Sequence, residues 1–74
     1  MTRLPRLRAT QLIRALERSG FGIERVRGSH VRLKPADGRV TSVPKHSGET
    51  LGPGLLRAIL REIELTVDEL IKLL

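Results

Sequence analysis

Apolar and polar positions change period along this 74-residue chain, and each change marks an element. From Arg8 to Ser19, Ala9, Leu12, Ile13 and Leu16 recur at helical spacing with Arg14, Glu17 and Arg18 on the other side, which predicts an amphipathic helix. Gly20 suits the left-handed position just past its last turn. Phe21, the one aromatic residue, can then fold back on Leu16 as in a Schellman motif. Ile23 to Arg27 reads as a strand, with β-branched Ile23 and Val26 and no helical period, and Gly28 breaks it. Ser29 to Lys34 alternates strictly: Val31 and Leu33 fall on one face, His30, Arg32 and Lys34 on the other.

Arg39 to Val43 resumes strand character, and the apolar pattern selects its register. A two-residue turn at Asp37-Gly38 would set Leu33 opposite Ser42 and Val31 opposite Pro44, mixing apolar with polar. A three-residue loop from Ala36 to Gly38, with Gly38 left-handed, pairs Val31 with Val43 and Leu33 with Thr41, and is preferred. Pro44 to Gly54 carries three glycines and two prolines and is expected to be mostly loop. Pro53 suits the first turn of a helix in which Leu55, Leu56, Ile59, Leu60 and Ile63 take the apolar side and Arg57, Arg61 and Glu64 the outer one. Thr66 and Glu69 form a capping box ahead of a short helix, Val67 to Leu74, with Leu65 stapled onto Leu70. The expectation is one α+β domain over residues 1–74: helix, three antiparallel strands, helix, short helix. The helices cover one sheet face and leave the other in solvent.

Charge sharpens that picture. Fourteen Lys and Arg against eight Asp and Glu give +6. The cations concentrate before Ser47, in the part that holds the three strands. A basic half on a small domain points to a phosphate-rich partner, most simply nucleic acid, whereas the bland reading is solubility alone. There is no cysteine, so neither a disulfide framework nor a thiolate metal site is available, which fits a reducing cytoplasm. The N-terminus from Met1 to Pro5 has no apolar run, so neither secretion nor membrane insertion is expected.

Chemistry has few places to go. His30 and His46 are the two imidazoles, and no cluster of His with Asp or Glu has metal-ligand spacing, so no metal and no cofactor are expected. Ser29 precedes His30 and would point to the opposite strand face, and no carboxylate is in line to complete a triad. Phosphate loops and dinucleotide fingerprints are absent. Metal-free RNA cleavage remains: a base removes the 2′-hydroxyl proton, that oxygen attacks the adjacent phosphorus, and cations stabilise the charged phosphorane. Histidine suits the proton transfer. On the residues alone His30 is as readily an ordinary exposed strand residue as a general base, and the same patch equally suits an RNA-binding module that cuts nothing. Without an exposed aromatic for base stacking, binding would rest on phosphate and 2′-hydroxyl contacts and be strongly salt-dependent. The candidates for RNA contact are Arg25, Arg32 and Lys34, with Lys45 and His46 in the following loop.

Taken together, several segments resemble one family. They are Leu16 to Phe21, Arg25, the triplet Gly28-Ser29-His30, Asp37-Gly38-Arg39, Val43-Pro44 with His46, and the run Gly54 to Leu60. In this order and at this spacing the chain resembles the HicA toxins of bacterial toxin-antitoxin pairs. The resemblance implies a fold like the double-stranded-RNA-binding domain and an mRNA interferase activity. It places the catalytic histidine at His30, with Gly28 and Ser29 as motif neighbours. It also implies a HicB-like antitoxin that covers the active face. The chain departs from the pattern just after the motif: Val31, Arg32 and Leu33 follow where many members carry another histidine or an aromatic, leaving His46 as the sole candidate for a second imidazole.

Overall fold

The computed structural model describes residues 3–35, 38, 40–45 and 49–74. Along the chain run α1 (Ala9–Arg18), β1 (Gly22–Arg27), β2 (His30–Lys34), β3 (Thr41–Pro44), α2 (Pro53–Glu62) and α3 (Val67–Lys72). This is the expected α+β order, consistent with a double-stranded-RNA-binding-domain-like fold. Arg8 and Ser19 flank α1 as its caps, and α3 stops two residues short of the expected Leu74.

Each boundary has a local cause. At the end of α1, Gly20 adopts φ +106°. Its N–H donates to Glu17 O at 3.1 Å and that of Phe21 to Leu16 O at 3.0 Å. These two bonds are the Schellman pattern, and they fold Phe21 into the core. The same pair of bonds closes α2, from Glu64 to Arg61 and from Leu65 to Leu60, but here Glu64 stands at φ +57° where glycine is favoured. Ahead of α3, Glu69 N–H donates to Thr66 Oγ1 at 3.1 Å and Thr66 N–H to Glu69 Oε1 at 2.9 Å, so the capping box forms as expected.

The strands make one antiparallel sheet in the order β1-β2-β3. Val31 pairs with Val43 and Leu33 with Thr41, the register that matches apolar residues across the hairpin. Gly38 has φ +89°, left-handed as that register requires. Ala36, Asp37 and Arg39 of the same connection lie outside the described residues. Gly28 and Ser29 form a two-residue turn between β1 and β2, flanked by the pair Arg27 and His30. Of the two turn residues only Gly28, at φ +58°, is left-handed, which is the type II′ requirement.

One side of the sheet is covered. Val31, Leu33, Val43 and Thr41 pack under Leu12 and Leu16 of α1, Leu56, Ile59 and Leu60 of α2, and Leu70 of α3 in a continuous core. Arg18 ties the first helix to the last, its Nη1 donating to Leu73 O at 2.6 Å, where a cation meets the carbonyl end of α3. Two features depart from the sequence expectation. Leu55, placed on the apolar side of α2, is 41% exposed. Conversely, Leu7 and Leu51 are buried, and Leu51 N–H donates to Leu7 O at 2.7 Å beside the bridge between Arg8 and Thr50. The segment before α1 is thereby paired with the loop that leads into α2, and that loop supplies a core residue despite its glycine- and proline-rich composition.

Candidate nucleic-acid interface

The face of the sheet away from the helices is open, and β2 populates it by simple alternation: His30, Arg32 and Lys34 are exposed while Val31 and Leu33 are buried. His30 is the first residue of β2. The tight Gly28-Ser29 turn brings it to the sheet's end, and its cross-strand neighbours are Arg27 on β1 and Pro44 on β3.

Strand β1 reaches the same face by a less regular route. Ile23 pairs with Leu33 and Arg25 with Arg32, so Glu24 is an extra residue, a β-bulge. In a regular strand Ile23 and Val26, three apart, would point to opposite faces. The bulge inverts the alternation, so that Ile23 follows Leu33 and Val26 follows Val31 to the helix side, while Arg25 and Arg27 join Arg32 and His30 on the open side. Directly paired residues of adjacent strands lie about 5 Å apart at Cβ. Arg25, Arg27 and Arg32 therefore surround the approach to His30, with Lys34 at the far end of β2.

Glu24 adds one anion to this field. Its Oε1 lies 3.4 Å from Arg32 Nε and its Oε2 lies 3.9 Å from Lys34 Nζ. All three side chains are substantially exposed, so each pair contributes only about 0.2–1 kcal/mol. The carboxylate thus holds the two cations in place weakly, and a more highly charged group can displace it.

The expected site residues divide into three sets. His30, Arg25, Arg32 and Lys34 are brought together on the open face, with Gly28 and Ser29 forming the turn that precedes the histidine. Lys45 follows β3, its N–H donating to Ser29 O at 2.5 Å, and it lines a groove on the helix side of the sheet. His46 lies outside the described residues. Two members of the face were absent from the sequence-derived set. Arg27 was readable in principle, because a two-residue turn at Gly28-Ser29 places it opposite His30. Glu24 was not, because a bulge without glycine or proline leaves no mark on the pattern.

Among the described residues, no three of His, Asp and Glu converge as a metal-ligand group, and no helix is long and apolar enough to cross a membrane. In comparison with known proteins, residues 9–65 match a family model described as HicA toxin of bacterial toxin-antitoxin. No curated protein matches the chain.

Proposed function

The chain belongs to the HicA toxin family of bacterial toxin-antitoxin systems, and from that premise we propose that it is a metal-independent endoribonuclease that cleaves mRNA in the cytoplasm, with His30 as the catalytic residue. The observation that carries this reading is the placement of an exposed imidazole at the start of β2, facing solvent on a sheet side crowded with Arg25, Arg27 and Arg32.

Transesterification needs little else from a protein. His30 moves the proton of the 2′-hydroxyl or of the leaving 5′-oxygen. The guanidinium groups of Arg32 and its neighbours stabilise the phosphorane as its charge develops. Lys34 and Arg25 extend the phosphate track. Gly28 has no side chain to obstruct a backbone approaching the turn, and Ser29 serves to position the histidine. The second half of the pair is a HicB-like antitoxin that neutralises the toxin by covering this face.

The test compares wild type with His30→Ala on a defined mRNA, with chelator present throughout. Cleavage is expected to fall by about 100-fold or more, while RNA binding and thermal stability are retained. Equal cleavage by both proteins sinks the histidine mechanism. If neither cleaves and both bind RNA with a steep salt dependence, the domain is a binding module.

A further inference from the structure

The bulge at Glu24 puts Ile23 on the same side of β1 as Val26. Ile23 and Val26 turn toward the helices, yet no helix covers them: they remain 49% and 61% exposed. Beneath them runs an open groove of about 360 Å³ between α1 and β1, floored by Ile13 and Val31. Its mouth carries Arg14 and Lys45, with Glu17 as its one anion among the described residues, and its far end is the Gly28-Ser29 turn itself. An exposed apolar strip rimmed by charge marks a docking surface.

We propose that this groove anchors the antitoxin, through a segment that places apolar side chains on Ile23 and Val26 and carboxylates on Arg14 and Lys45. Three observations select that occupant. RNA gains little from an apolar floor, since its affinity comes from phosphate contacts, which the opposite face supplies. A second copy of this chain would bring another +6 domain against the same cationic mouth. An acidic protein segment satisfies both the floor and the rim. The groove also ends at the turn preceding His30, so a segment seated in it has a short path to the histidine face. Anchoring on one side of the sheet and occlusion on the other are then joined through Gly28 and Ser29. This inference rests on the chain being the toxin of a pair, and not on how it cuts RNA.

The test measures binding of the full-length toxin to its cognate antitoxin by titration calorimetry, on a His30→Ala background so that production does not depend on neutralisation. Ile23→Asn with Val26→Asn leaves net charge unaltered and is expected to weaken binding about 100-fold, because polar amides are driven against an apolar contact. Arg14→Glu, at an exposed position of α1, is expected to weaken it about tenfold and to flatten its salt dependence. Far-UV circular dichroism and a melting curve establish that each variant is folded, and Arg14→Glu carries the test if the double variant is not. RNA binding by the double variant should match the parent. Parent-like antitoxin affinity in the folded variants overturns the inference. So does loss of RNA binding with antitoxin binding intact, which assigns the groove to RNA, or a toxin dimer that the double variant dissociates, which assigns it to a second copy. Since the readout is protein binding, cleavage that survives His30→Ala would remove the catalytic assignment and leave this one standing.

Discussion

The two faces of one three-stranded sheet are built from alternate residues of the same strands and obey different rules. On the covered side, Val31, Leu33, Val43 and Thr41 are nearly inaccessible, and the fold depends on how tightly they pack. On the open side, His30, Arg32 and Lys34 touch mainly solvent and one another's strand neighbours, so the fold gains little from them. The difference implies that stability and activity are separable within a five-residue strand: alternate positions serve alternate ends.

Substitutions can break that separation or sharpen it. The largest effect is expected from Leu33→Ala, which removes a fully buried side chain at the centre of the sheet. It should lower unfolding free energy by about 3 kcal/mol, a large part of the total for so small a domain, as measured by urea denaturation. Its neighbour His30→Ala should change stability by no more than about 0.5 kcal/mol while abolishing most cleavage. A loss of stability at His30 comparable to that at Leu33 would mean that the faces are not independent. Thr41 tests the covered face from the other direction. Its Oγ1 is buried without a hydrogen-bond partner among the described residues. Thr41→Val, nearly the same shape, should therefore raise stability by about 1 kcal/mol. Smallest is Glu24→Gln, which frees Arg32 and Lys34 for phosphate. RNA affinity should rise about threefold at low salt, with a steeper salt slope, and the melting temperature should hardly move. Unchanged affinity would show that Glu24 does not compete for those cations.

Much of this architecture is legible without coordinates, and the residues that make it so can be named. The Leu16-to-Phe21 end of α1, the Thr66-Glu69 box and the Val31-Val43 register are each specified by short-range chemistry in which one arrangement satisfies the backbone or matches apolar partners and its rivals do not. The open position of His30 follows from the same alternation that buries Val31 and Leu33. What escapes the pattern is non-local or irregular. Leu51 is buried only because the segment at Leu7 pairs with it from far away in sequence. Leu55 keeps its apolar spacing and is nevertheless exposed, because its side of α2 turns toward the edge of β3, where no element among the described residues covers it. The Glu24 bulge changes the phase of β1 with no glycine or proline to announce it, and it hides the face of Ile23, whereas the Gly28-Ser29 turn sets Arg27, Val26 and Arg25 against His30, Val31 and Arg32. The site was therefore legible on β2 and on the part of β1 next to the turn, and obscure at the bulge.

That bulge has a consequence for the molecule in dilute and crowded solution alike. β1 is an edge strand of six residues, exposed along its whole length, and such an edge ordinarily offers a template on which a neighbouring molecule can extend the sheet and seed aggregation. The extra residue interrupts the even spacing of its outward N–H and C=O groups, and Arg25 and Arg27 set like charges against any identical strand laid alongside. The same single insertion that brings Ile23 beside Val26 on one face thus makes the strand's edge a poor seed for fibres.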